Sequence, residues 1–260
     1  MQGAMVLISD STAEPDFLIP DWPAPLPVKA LATTRNGGVS VGDFASLNLG
    51  LHVGDDPVAV TANRKSLCDY GVLPTEPFWL NQVHGKRVVD LATASGTPDA
   101  DAAMATKPKQ VCAVMTADCL PLLLCNMAGT KVAAVHAGWR GLEAGIVQEA
   151  LHHFEGDEVL AWLGPAIGPL SYEIDDKIRD QFLRLNTRAM DFDDAFEFSR
   201  PGHWYFNLYR TAKIILAAAG VDEIYGGNLC TLSDERFYSY RRDGVTGRQA
   251  TLIWLQEPQK

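Results

Sequence analysis

The chain has 260 residues, 47% hydrophobic and 21% charged, the balance of an ordinary soluble globular protein with enough length for a large core. Its formal net charge of −10 repels nucleic-acid phosphates and excludes nucleic acid as the expected partner, while leaving room for a local basic pocket. The five cysteines are odd in number and hold no Cys-x-x-Cys pair, and no apolar run is long enough to span a bilayer; the expected setting is therefore the reducing cytoplasm, with no membrane partner.

Residues 1–20 lack the basic start and apolar run of a signal peptide, the first basic residue being Lys29, and are expected to be partly mobile. After Pro23, Pro25 and Pro27, residues 28–34 read as a strand and Arg35-Asn36-Gly37-Gly38 as a turn, because paired glycines supply positive φ. Asp56 as cap, Pro57 in the first turn and Gly71 as stop predict a helix over Pro57–Tyr70. Residues 78–82 and 88–91 read as short strands. Residues 111–116 and 120–125 are dense apolar runs too short for solitary helices, and read as buried strands. Gly129 marks a hairpin turn over 127–130 into a third buried strand over 131–136. Leu142, Ile146, Leu151 and Phe154 sit at helical spacing and predict one helix over 141–154, followed by a strand over Val159–Leu163. Helices follow over 175–185 and 207–219, the second with Asn207 as N-cap and Gly220 as stop. Late strands are read over 237–240 and 250–255. The hairpin argues against an all-parallel sheet. The expected fold is α/β of the α+β type, a mixed β-sheet with flanking helices, in a single domain over residues 1–260.

Three segments break apolar runs with polar, Gly or Pro residues, where functional loops sit on such a scaffold. They are Asn81-Gln82-Val83-His84-Gly85, Thr116-Ala117-Asp118-Cys119-Leu120-Pro121 and Val135-His136-Ala137-Gly138-Trp139-Arg140-Gly141. Imidazole nitrogen and thiolate both suit zinc, and three protein ligands leave a fourth position open, the catalytic pattern. Read singly, a histidine beside glycine is equally a hydrogen-bonded structural residue, and a cysteine between strands a small buried hydrophobe. The wide spacing of His84, Cys119 and His136 does not decide between these readings.

Taken together, the same segments resemble the laccase-domain family, also described as multicopper polyphenol oxidase and as purine nucleoside phosphorylase. Thr33-Thr34-Arg35, Gly37-Gly38-Val39-Ser40, Ser46-Leu47-Asn48-Leu49-Gly50, Asp99-Ala100-Asp101-Ala102, Leu163-Gly164-Pro165-Ala166-Ile167-Gly168-Pro169 and Ser239-Tyr240-Arg241-Arg242-Asp243 extend the resemblance over most of the chain. The resemblance implies a zinc site at His84, Cys119 and His136, with copper as the other candidate ion. It implies an enzyme acting on purine nucleosides with phosphate, by phosphorolysis of adenosine, inosine and methylthioadenosine, and by deamination of adenosine. It also implies a fold similar to the deamidase domain of cytotoxic necrotizing factor toxins, where a Cys and a His form the catalytic pair.

Within that reading Cys119, His136, Asp118 and Arg241 are the candidate catalytic residues. Asp118 is the carboxylate nearest Cys119 in sequence and is expected to move protons. Arg35, Arg140 and Arg241 lie in motif loops, and the arginine fork suits phosphate. Arg35, Asn48 and Arg140 are therefore the expected substrate-binding residues, Asn48 through sugar or base. Asp99 and Asp101 are candidates for orienting ligand loops, and Trp139 for walling the pocket. Four alternatives stay open: a copper polyphenol oxidase, a metal-free Cys119–His136 hydrolase, an editor of peptidoglycan precursors, and a metal-binding regulatory protein. The six histidines include no His-x-His pair of the kind multicopper clusters use. The sequence leaves the oligomeric state open.

Overall fold

The structure is a computed structural model that describes residues 14–257. The expectation of mobility for residues 1–20 falls outside the described residues as far as residue 13. Within the described residues, β1 (Phe17–Leu18) pairs antiparallel with β2 (Val28–Thr33). In chain order there follow α1 (Pro57–Tyr70), β3 (Val88–Asp90), β4 (Ala102–Ala105), β5 (Val111–Thr116), β6 (Leu120–Asn126) and β7 (Val132–Ala137). Next come α2 (Trp139–Ala144), α3 (Ile146–His152), β8 (Val159–Leu163), β9 (Glu173–Asp175), α4 (Asp176–Leu183), β10 (Phe196–Arg200) and β11 (His203–Phe206). The chain closes with α5 (Leu208–Ala218), β12 (Glu223–Gly226), α6 (Tyr240–Asp243) and β13 (Gln249–Leu255).

One sheet has the order β1-β2-β13-β5 and is antiparallel throughout. A second has the order β12-β8-β6-β7-β4-β3, antiparallel at its centre and parallel at both edges. A small antiparallel sheet, β10-β11-β9, completes the set. Every residue of β6 and β7 is buried, because both faces of their sheet are covered. Side chains alternate along a strand. Leu120, Leu122 and Leu124 enter a core shared with Leu142, Ile146, Leu208 and Ile215 of the helices. Leu123 and Cys125 enter a second core, shared with Cys112, Val114 and Ile253 of the other sheet. On that sheet's outer face Leu31, Ala113 and Leu252 pack against Leu67 of α1. The result is four layers, helix–sheet–sheet–helix. The mixed sheet with flanking helices is the one expected from sequence, and the second sheet laid against it is the addition.

Local chemistry explains the elements and the departures. Asp56 accepts from Val58 N at 2.9 Å and starts α1 as read. The single helix expected over 141–154 is two helices, because Gly145 takes a left-handed φ of 91° between them. Residues 78–82 form isolated bridges rather than a strand. There the Gln82 side-chain amide stands in for a strand's peptide, donating to Met115 O and accepting from Met115 N, both at 2.8 Å. Residues 237–240 are not a strand, because Ser239 accepts from Arg242 N at 3.2 Å and caps α6. No helix among the described residues is long and apolar enough to cross a membrane.

Candidate active site

Antiparallel pairing brings the end of β5 beside the start of β13, and the start of β6 beside the end of β7. A pocket of about 510 Å³ opens at this end of the two-sheet stack, within the range of small-molecule sites. Its floor is organised by Asp101, a fully buried carboxylate just before β4. Oδ1 accepts from His84 N at 2.9 Å and from His136 Nδ1 at 2.8 Å, while Oδ2 accepts from Gly85 N at 2.7 Å and Val83 N at 3.2 Å. Burial opposes the charge on Asp101, but the bonds from His136, Gly85 and His84 hold its carboxyl below the usual range. One group thus fixes both histidines, His84 by its backbone in a left-handed turn (φ 59°) and His136 by its ring. In the neutral, metal-binding form of His136, Nδ1–H is donated to Asp101 and Nε2 keeps a lone pair for the pocket.

Cys119 starts the turn into β6, with Sγ 3.9 Å from His84 Nε2. One ligand atom from each of His84, Cys119 and His136 lies within 4.8 Å of the others. Tetrahedral zinc, with N and S ligands at about 2.0–2.3 Å, separates its donors by roughly 3.3–3.8 Å. The trio therefore needs only a small contraction to fit. Gly138 keeps the space clear, since a Cβ there would stand 2.8 Å from Cys119 Sγ and 3.3 Å from His84 Cδ2. Two imidazoles and a thiol, with a carboxylate behind one imidazole, are a donor set of the zinc type. Burial alone would raise the Cys119 thiol, yet the charge of His136 and hydrogen bonds from both histidines bring it down to about 6. Burial likewise opposes a charge on His136, and the Cys119 thiolate with Asp101 raises it to about 9.

The remaining candidates divide. Asp118 lines the pocket at a strained φ of 92°. Both of its oxygens are engaged, Oδ1 by Thr231 Oγ1 at 2.7 Å and Oδ2 by Arg241 N at 2.6 Å. Arg241 lines the pocket, lies over the Tyr172 ring and donates to Glu173 O at 3.1 Å. Arg140 lines it too, over the ring of Trp139, which forms part of the wall. Arg35 and Asn48 are not among the lining residues. The Arg35 guanidinium lies over Tyr238 and donates to Ala45 O at 2.8 Å. Asn48 is fully buried and accepts from Gly50 N and Arg248 N, both at 2.9 Å. Its contact is with the loop that carries Arg248, a pocket residue the sequence reading missed. The available signal was Gly247, whose missing Cβ leaves room for Tyr238 and so sets that loop. Asp99 accepts from Asn81 Nδ2 at 2.5 Å, outside the pocket wall.

Comparison with known proteins identifies the family. Residues 29–256 match the family model described as multi-copper polyphenol oxidoreductase laccase. A purine nucleoside phosphorylase of Pseudomonas aeruginosa is 50% identical over 245 residues, covering 93% of this chain and 99% of that one. The Escherichia coli purine nucleoside phosphorylase YfiH is 48% identical over 247 residues, covering 92% and 98%. Among solved structures, a Neisseria meningitidis protein superposes with a TM-score of 0.87 at 49% identity, covering 92% of this chain and 99% of that one. YlmD from Geobacillus stearothermophilus gives a TM-score of 0.86 at 30% identity, covering 93% and 96%. The chain, with its His–Cys–His pocket at the end of a two-sheet stack, belongs to the multi-copper polyphenol oxidoreductase laccase family.

Proposed function

We propose that this chain is a purine nucleoside phosphorylase working with one zinc-type ion held by His84, Cys119 and His136. The observation that carries the reading is the shared pocket: the three donors line it together with Arg140, Arg241 and Arg248. Among the described residues none of those three arginines forms a salt bridge, though this is equally true of Arg35, Arg64 and Arg87 outside the pocket; what sets the three apart is their place in its wall. Unpaired guanidinium groups beside a recess of about 510 Å³ suit a phosphate and a nucleoside held side by side. An ion held by His84, Cys119 and His136 would supply Lewis acidity at neutral pH. The chain's own residues do the rest. The arginines hold the phosphate dianion against the anomeric carbon, so that its oxygen bonds to that carbon as the glycosidic bond breaks. The departing base takes the electron pair and the proton that the hydrogen phosphate dianion gives up as it becomes the sugar phosphate. Trp139 and Tyr172 narrow the recess and exclude water. Asp118, through its bond to Arg241 N, sets where that arginine stands.

Cleavage of methylthioadenosine and deamination of adenosine fall to the same pocket. The second needs a carboxylate to move protons, and Asp118 is the one acidic residue on the wall. A distinct reading, a metal-free cysteine hydrolase, is favoured by the line Asp101–His136–Cys119 and the thiolate–imidazolium pair it sustains. A multicopper mechanism has less support: among the described residues one cluster of three His, Cys or acidic donors is found, which is room for a single ion. The test is metal analysis of the purified protein, followed by adenosine and inosine with and without phosphate. About one zinc per chain and base release only with phosphate support the phosphorylase. Ammonia release without phosphate moves the reading to deamination. Full activity in metal-stripped protein moves it to the cysteine hydrolase.

A further inference from the structure

We propose that Arg248 and Thr116 form the phosphate subsite of this pocket. The inference rests on the phosphorolytic reading and names the residues that give it its second substrate. Arg248 precedes β13 and Thr116 ends β5. Gln249 lies directly across from Thr116 in the β13–β5 ladder, so Arg248 and Thr116 stand at neighbouring strand ends, and both line the recess.

Arg248 is built in rather than draped on the surface. Its backbone N donates to Asn48 Oδ1 at 2.9 Å and its carbonyl accepts from Leu49 N at 3.1 Å. One terminal nitrogen donates to Thr246 O at 3.0 Å and Gly247 O at 2.9 Å. Gly50 leaves space for its stem, since a Cβ there would sit 2.9 Å from Arg248 Cγ. Nε and the other terminal nitrogen have no protein acceptor among the described residues, and no carboxylate pairs with the group. A half-buried guanidinium with no ion-pair partner in contact, attracted only from further off by Cys119 and Asp118, is costly unless an anion completes it. Burial also holds its proton affinity below the usual arginine range, though the group stays charged. Thr116 repeats the pattern in neutral form. It is 2% exposed, and its hydroxyl has no hydrogen-bond partner among the described residues. Two open N–H donors and one unpartnered hydroxyl, from residues lining the same recess, match the needs of a tetrahedral oxyanion.

The experiment is calorimetric titration of inorganic phosphate into zinc-loaded protein, with KM measured separately for phosphate and for nucleoside. Arg248→Gln is expected to weaken phosphate binding roughly 10- to 100-fold and Thr116→Val about 3- to 10-fold, with nucleoside KM within about threefold. Arg248→Lys keeps the charge without the fork and falls between; with Thr116→Val it decides the matter if Arg248→Gln melts early. Wild-type protein that binds no phosphate overturns the subsite. So does Arg248→Gln with unchanged phosphate affinity, or a rise confined to nucleoside KM. Phosphate binding lost in Arg248→Gln, in protein that releases no base, keeps the subsite and sinks the phosphorylase reading. Phosphate-dependent base release that Arg248→Gln leaves intact does the reverse.

Discussion

Replacing Asp101 by Asn changes almost no volume and tests the support beneath the three donors. The carboxylate accepts four N–H bonds, two on each oxygen. An amide can accept on one side only. Keeping its oxygen toward Val83 and Gly85 turns its NH2 against His84 N and His136 Nδ1. His136 can relieve its half of the conflict by moving its proton to Nε2, the nitrogen that faces the pocket. The amide of His84 stays without an acceptor. One orphaned buried donor, plus the lost charge on the surviving bonds, costs about 2–4 kcal/mol. For a chain of this size that lowers the melting temperature on the order of 5–15 °C. The wrong histidine tautomer should also weaken metal binding roughly 10- to 100-fold. Zinc titration against a chromophoric chelator and thermal unfolding of the metal-free protein read the two effects separately. An Asp101→Asn variant that binds zinc within about twofold of wild type and melts at the same temperature would refute the reasoning.

Two further outcomes follow from the same geometry. Gly138 has an ordinary extended backbone, φ −69° and ψ 165°, so Gly138→Ala introduces no backbone strain. Its new Cβ falls 2.8 Å from Cys119 Sγ, and zinc affinity should drop at least about tenfold while the far-ultraviolet spectrum is unchanged; undiminished zinc binding would count against the proposed ion position. Iodoacetamide at neutral pH should modify Cys119 in metal-free protein but spare Cys112 and Cys125, whose thiols burial pushes up, Cys125 to about 12. Zinc should then protect Cys119, which peptide mass mapping reads directly; labelling indifferent to zinc would remove the thiolate from the donor set.

Much of this was legible in the sequence, and the remainder has physical causes. The first long helix was readable to the residue, because its start and stop are local chemistry: Asp56, Pro57 and Gly71. The buried runs at 111–116, 120–125 and 131–136 announced strands covered on both sides. They could not say that the first lies in a different sheet from the other two, since β5 is paired by β13, over a hundred residues later. The helix over 141–154 was over-read because the apolar spacing runs on through Gly145, where the backbone turns left-handed. At the site, His84, Cys119 and His136 were separated by too many residues for spacing to join them, and only the family resemblance did so. Asp101 was readable as a group that orients ligand loops, and it does bind both histidines. Arg35 and Asn48 looked like substrate contacts because their motifs are polar; the fold directs one toward Tyr238 and the other toward the backbone of Arg248. Arg248 itself had only the neighbouring Gly247 as a local signal, since its place in the pocket comes from the β5–β13 pairing.

The most direct test of a metal-dependent phosphorylase in this pocket is zinc content and phosphate-dependent base release measured on one preparation of His84→Ala. His84 is exposed and its backbone, not its side chain, holds Asp101, so the variant should fold. Zinc and turnover are expected to be lost together while the melting curve of the metal-free protein matches wild type. Full turnover in zinc-free His84→Ala would contradict the account.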